Sequence, residues 1–236
     1  LEFLANESKK NFFNNVYEDI ILEDSAILKN IYLQNDKSSG YFHKYSLNKL
    51  SKRSNFTSFI FPAGSKFNKL DLEFNLEGEE SECNLQSASF LSNSEHQEIK
   101  TRINHFFPNC KSYQRVKNVL DSESKGVYQG KIFVKDVAQK TDAYQLSKAI
   151  LLSEKSEFDS KPELEIYADD VKCSHGSTSG NVDQDAIHYL MTRGLDKKES
   201  TKLLINGFLN EVIEMIKSNT IKNFVQTKLK KQIHGY

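Results

Sequence analysis

The sequence predicts a mostly β protein with a helical C-terminal end, and three observations carry that expectation. Short segments of alternating polarity recur between residues 1 and 180, with few apolar stripes at helical spacing. Polar turns of similar composition punctuate those segments. From about Gly180 the apolar spacing changes from two residues to that of a helix. The expected organisation is therefore a β core over residues 1–180 and a C-terminal helical domain over residues 181–236.

Within the β core, Asp71-Leu-Glu-Phe-Asn-Leu76 alternates strictly, Lys131–Lys135 more loosely, and Glu163–Tyr167 alternates too. This is the period of a strand with one buried face. Between such segments lie Glu23–Ser25, Gly78–Ser81, Asp121–Gly126 and Ser153–Ser156, led into by Leu22, Leu76, Leu120 and Leu152. A step of 14 to 16 residues connects Phe67, Cys83, Ile99, Tyr113, Val127, Ala143, Phe158 and Cys173. Such a step suits a solenoid whose coils bury their faces against one another. An antiparallel sandwich satisfies the same alternation, and the periodicity leaves both architectures open.

The helical region begins with acids at Asp183 and Asp185, followed by Ile187, Leu190 and Met191, and Gly194 stops it. Asp196 caps the next helix, with Glu199 three residues on completing a capping box. That helix carries an apolar stripe of Leu203, Leu204, Phe208, Val212, Ile213, Met215 and Ile216. A last helix runs from about Thr220 through Phe224, Val225 and Leu229, with the lysines of 228–231 on its solvated face.

Composition excludes several classes. Thirty-two cations balance 32 anions, which argues against nucleic acid as the main partner, because phosphate binding needs a basic surface. No apolar run approaches the roughly 18–20 residues that cross a bilayer, and no signal-peptide pattern opens the chain. Cys83, Cys110 and Cys173 form no CxxC pair, and an odd, sparse count suits a reducing compartment. The chain opens on Leu1 rather than Met, which reads as a piece of something longer.

Chemistry is concentrated in Tyr167–Ser177, YADDVKCSHGS. In an extended backbone Val171, Cys173 and His175 share one side, and two residues of strand rise separate Cys173 and His175 by about 6.5–7 Å at Cα. Thiolate and imidazole are ligands that borderline metals prefer, so the pair is a candidate metal or cluster site. Equally, Cys173 reads as a small buried residue and His175 as part of a turn beside Gly176. One Cys and one His fall short of the four ligands of a closed site, so any further ligands come from another chain or from distant residues. Cys83 and Cys110 read as core. His43, His96 and His105 are scattered, His105 at a strand end before Phe106-Phe-Pro108. Asp169 and Asp170, as strand neighbours, point to opposite faces and make a poor acid/base pair. No dinucleotide fingerprint, P-loop or GxSxG elbow is present.

The run Ser160–Gly180, SKPELEIYADDVKCSHGSTSG, continues into NVDQDAIHYLMTRGL at 181–195. With Asn75–Cys83, Thr101–His105, Gly126–Lys131 and Ala138–Ala143, it resembles the SufB/SufD family of iron–sulfur cluster assembly proteins, on the SufD side. The resemblance implies a right-handed parallel β-helix body followed by a helical C-terminal domain, with a further helical region usual at the N-terminus. It implies a non-catalytic subunit that pairs through the β-helix with a SufB-type scaffold, or with itself, and docks the SufC ABC-type ATPase through its C-terminal helices. The stripe Leu203–Ile216 is assigned to that docking region, and packing of the helices on one another is its plainer use.

The resemblance also implies His175 as the residue facing the partner where a transient cluster is built, with Cys173 in the same motif. No tightly bound cofactor is expected. Ser156 stands where SufB carries a cysteine and Gly176 where it carries a glutamate, which favours SufD over a stand-alone scaffold. The implied compartment is the cytoplasm, or the plastid stroma of a eukaryote. The rival readings are a carbohydrate-active enzyme on a β-helix and a purely structural solenoid.

Overall fold

The computed structural model describes residues 2–4, 11–34, 38–62 and 64–234. Its strands, in chain order, are β1 (Glu2–Leu4), β2 (Phe13–Leu22), β3 (Ile27–Gln34), β4 (Ser38–Leu50), β5 (Asn55–Phe61), β6 (Ser65–Leu76) and β7 (Glu82–Leu91). They continue as β8 (His96–His105), β9 (Lys111–Leu120), β10 (Lys125–Val134), β11 (Asp142–Leu151), β12 (Glu157–Ile166) and β13 (Lys172–Asn181). Three helices follow: α1 (Gln184–Thr192), α2 (Lys197–Ile213) and α3 (Asn219–His234).

The strands alternate between two sheets. The odd ones form one sheet in the order β1-β3-β5-β7-β9-β11-β13, and the even ones form the other, from β2 to β12. Each pairing is parallel, between a strand and its equivalent one coil later. Coil length varies between 26 residues, from Tyr41 to Phe67, and 32, from Lys125 to Glu157. The chain is thus a parallel β-helix of about six coils, and the sandwich alternative is excluded because no hairpin pairing exists among these strands. The predicted step of 14 to 16 residues is half a coil: Phe67, Cys83, Ile99, Tyr113, Val127, Ala143, Phe158 and Cys173 fall one on each strand from β6 to β13.

The corners follow the turns read in the sequence, although most of their left-handed positions are not glycine. Ser25, Arg53, Glu80, Asn93, Asn109, Ser122 and Lys140 all have φ between 55 and 62°. Five of these amides, those of Ser25, Arg53, Glu80, Asn109 and Lys140, tie their corner to the next coil: Ser25 N–H donates to Lys52 O at 2.8 Å, Arg53 to Glu79 at 2.9 Å, and Asn109 to Gln139 at 2.9 Å. These bonds satisfy corner donors that would otherwise be orphaned, and they offset the cost of the left-handed backbone.

Strand alternation fills the lumen. At its centre Leu70, Leu72, Leu85, Ile99 and Ile103 are buried, with Cys83 and Cys110 among them as expected. Toward the N-terminal end the lumen is polar: the buried Lys44 ammonium lies 3.2 Å from Glu18, which also accepts from Ser46 Oγ at 2.8 Å. The outer face of the odd-strand sheet is covered by the helices. Ile31, Phe59, Phe61, Ala88, Phe90 and Val119 form one apolar layer with Ile205, Leu209, Val212, Ile213, Val225 and Leu229.

Helix starts and stops obey their sequence signals. The Asp183 carboxylate accepts from the amides of Asp185 and Ala186, Asp196 and Glu199 form the capping box, and Gly194 sits at φ +96°. The predicted face of α2 needs correction. Leu203 and Met215 are exposed, whereas Ile205 and Leu209 face the sheet with Val212 and Ile213. The helix carries apolar residues on more than one side, and the sheet beneath it selects which side is buried.

Candidate functional site

The C-terminal end of the β-helix is open. β12 and β13 are the last strands of their two sheets, and each offers an unpaired edge at the same end. Tyr167–Val171 form the corner between them, so the extended run considered across 167–175 is broken there. Asp169 and Asp170 lie exposed in that corner, not in a strand. The reason is positional: every coil must turn after its even strand, and β12 ends at Ile166 in register with Val134.

Cys173 and His175 lie on β13. Cys173 pairs in register with Ala143 and His175 with Gln145, both buried lumen residues, so both side chains point to the lumen side. With no further coil above them, they line the open mouth. His175 is exposed, and Cys173 is half-buried against the apolar group of Ile132, Val134, Ala143 and Ala168. Burial, and then the nearby Asp142 carboxylate, push the Cys173 thiol above its ordinary pKa and hold it protonated at neutral pH. Asp142 is itself tied by the hydroxyl of Tyr113 at 2.8 Å. The pair thus combines an accessible imidazole with a sheltered thiol. Among the described residues no group of three His, Cys, Asp or Glu converges as a metal site.

Below the mouth lies a polar cluster that sequence reasoning did not single out. Thr101 Oγ1 donates to Gln114 Oε1 at 2.6 Å, and Tyr128 Oη donates to the same oxygen at 3.2 Å. Gln145 Nε2 donates to Gly130 O at 3.2 Å. Closer to the mouth, Ser147 Oγ bridges Ser160 Oγ at 2.8 Å and Ser177 Oγ at 2.9 Å, linking three strands across the lumen. A signal for the row exists: Gln114, Gln145 and His175 recur at 31 and 30 residues, one coil apart.

The remaining histidines stand elsewhere. His43 bridges Asn15 and Asp71 at 2.9 Å each on the outer face of the even-strand sheet, and His96 lies against Phe67. His105 ends β8, as expected, fully buried with its Nε2 2.9 Å from Ser112 Oγ.

Residues 1–208 match the family described as SUF system FeS cluster assembly, SufBD core domain. The chain belongs to the SufBD core family. Within it the chain is SufD-like. It is 31% identical to the Escherichia coli protein named iron–sulfur cluster assembly protein SufD, over 82% of this chain and 46% of that protein. A Synechocystis protein named as an iron–sulfur cluster assembly SufBD family protein is 29% identical over 87% of this chain and 45% of its own length. The chloroplastic protein ABCI7 of Arabidopsis thaliana is 26% identical over 97% of this chain and 48% of its own. The chain spans about half the length of these curated relatives. The SufBD match runs through the mouth and α1 into α2, so both the lumen site and the first part of the helical layer lie inside the family's core. No helix among the described residues is long and apolar enough to cross a membrane.

Proposed function

We propose that this chain serves iron–sulfur cluster assembly as a SufD-type, non-catalytic subunit, pairing through the open end of its β-helix with a SufB-type scaffold or a second copy of itself. The observation that carries this reading is the position of His175: an exposed imidazole at a mouth flanked by two unpaired strand edges. Unpaired edges accept further strands readily, so β12 and β13 suit body-to-body association. Such association closes the mouth and brings partner ligands to a site that one chain leaves incomplete. His175 then contributes one neutral imidazole to a transient cluster, which is cargo and not a resident cofactor, and the thiolates come from the partner. Cys173 has a lesser part, because its sheltered thiol resists ionisation.

The SufC-type ATPase docks on the helical end in this reading. Leu203 and Met215, exposed on and just after α2, and Tyr189 and Met191, exposed on α1, offer apolar contact for it. The buried remainder of the predicted stripe, Val212, Ile213 and Ile216, packs on the β-helix instead. Movement of the ATPase subunits on ATP binding would strain the paired mouth and open it. The setting is the cytoplasm or a plastid stroma.

The test is co-expression of the chain with SufB- and SufC-type partners under anaerobic conditions, followed by iron and sulfide analysis. His175→Ala is expected to leave the complex assembled but free of cluster. Normal cluster content in that variant would sink the ligand role. Turnover on acidic polysaccharides would favour the rival reading, a carbohydrate-active enzyme on a β-helix.

A further inference from the structure

The lumen is apolar at its centre, yet the two coils behind His175 hold Gln145, Gln114, Tyr128 and Thr101, all of them buried. A buried amide costs stability unless it is hydrogen-bonded, and a connected polar cluster directly behind one exposed residue points to a use there. Gln145 stands next to His175 in register, on the same face of the sheet. Its amide is held from both sheets: Nε2 donates across the lumen to Gly130 O on β10 at 3.2 Å, and Oε1 accepts from Gln114 Nε2, its register neighbour on β9, at 3.5 Å. Gly130 is required for this arrangement. A Cβ there would lie 2.6 Å from Gln145 Oε1 and 2.5 Å from the Tyr128 hydroxyl. The amide oxygen keeps a second lone pair. Ser147, the other polar neighbour near the mouth, already spans Ser160 and Ser177.

We propose that Gln145 is a positioning residue for His175: its amide oxygen accepts the N–H of the inward ring nitrogen and leaves the other nitrogen as a lone pair facing the mouth. An imidazole that ligates through one nitrogen needs an acceptor for the other, which sets tautomer and ring direction. The inference rests on the reading of His175 as a ligand, and it adds the group that presents the ring. Gly130, Gln114 and Tyr128 act one step further back, by fixing the amide.

The test uses the full chain carrying ¹⁵N-labelled histidine, with His175 assigned by its loss in a His175→Asn variant. Long-range ¹H–¹⁵N spectra are recorded at about pH 8.5, where an ordinary imidazole is neutral. The two His175 ring-nitrogen signals are expected to be widely separated, as one tautomer requires. In Gln145→Met, which keeps the volume and removes the acceptor, they move toward each other as both tautomers populate. In Gln145→Glu, which restores an acceptor, the separation returns. Where Gln145→Met does not fold, Gln145→Asn, which withdraws the acceptor by one methylene, decides by the same shift. Unchanged ring signals in the folded acceptor-loss variant overturn the inference. An unchanged ring together with loss of clusters in His175→Ala removes the positioning role and leaves the ligand role standing. A shifted ring with normal cluster content in His175→Ala does the reverse.

Discussion

The Lys117 ammonium, only 2% exposed, donates to the carbonyl oxygen of Phe208 at 3.0 Å and lies 4.4 Å above the same residue's ring. Lys117 projects from the outer face of β9 and Phe208 belongs to α2, so one cation fastens the helical layer to the β-helix. Glu211, one turn further along α2, completes the contact as its ion-pair partner. Removing one member of a buried pair leaves a charge without compensation, and the solvent around Glu211, 61% exposed, softens the loss. Glu211→Gln should therefore lower stability by about 1–2 kcal/mol. Lys117→Met, which fills the space with apolar atoms, should stay within about 1 kcal/mol of the parent. Thermal unfolding of both variants checks the order, and the reverse order would refute the latch.

A pH prediction follows from His105. Burial pulls its pKa from 6.5 down to about 3, so the folded chain keeps it neutral while the unfolded chain protonates it below 6.5. Its contribution is complete above the unfolded value and is lost as pH falls from 6.5 toward about 3. At pH 5 the difference is about 1.5 pH units, on the order of 2 kcal/mol. Urea midpoints between pH 7 and 4 should show that slope, and His105→Gln should flatten it.

Gly78 tests the stacking of corners. A Cβ there would lie 2.1 Å from the Lys52 nitrogen and 2.4 Å from the Ser51 carbonyl carbon, both backbone atoms of the preceding coil's corner. Gly78→Ala should cost about 3 kcal/mol or prevent soluble expression, because neither corner can retreat without breaking its bonds. Gly180→Ala, with no atom within 4 Å of the new Cβ, serves as the control and should change stability by less than about 0.5 kcal/mol.

The serine bridge makes a local prediction. Ser147→Ala removes two hydrogen bonds that hold β13 and β12 to β11, each contributing about 1 kcal/mol. Amide exchange should rise over 172–181 while the central coils keep their protection. Equal exchange in parent and variant would show that the edge strands need no such tie.

The strands were legible because a β-helix buries alternate residues of every strand, most plainly where the inward ones are apolar and the outward ones polar. The alternation at Asp71–Leu76 and the half-coil step through Cys83 and Cys173 both survive in the structure. Direction of pairing was not legible in the alternation, and only the family resemblance carried it. Alternation is the same whether a neighbour runs parallel or antiparallel, and the usual corner signal was muted, because Arg53, Glu80 and Lys140 hold left-handed backbone in place of glycine. The helix ends were readable from caps, but the buried face of α2 was not. Leu203 and Ile205 are equally apolar, and only Phe59, Phe61 and Val119 beneath the helix decide between them.

By itself the sequence determined the alternating strands, the change to helical spacing near Gly180, the caps at Asp183 and Asp196, and the concentration of chemistry at Cys173 and His175. These are local properties, set by side-chain period and backbone preference. Tertiary structure alone decided that His175 stands at an open mouth and that Cys173 is sheltered. It also decided that Gln145 lies beside His175, although 30 residues of chain separate them. Register between coils is a long-range property, fixed by the length of each corner and the packing of the whole lumen, and no short window of sequence contains it.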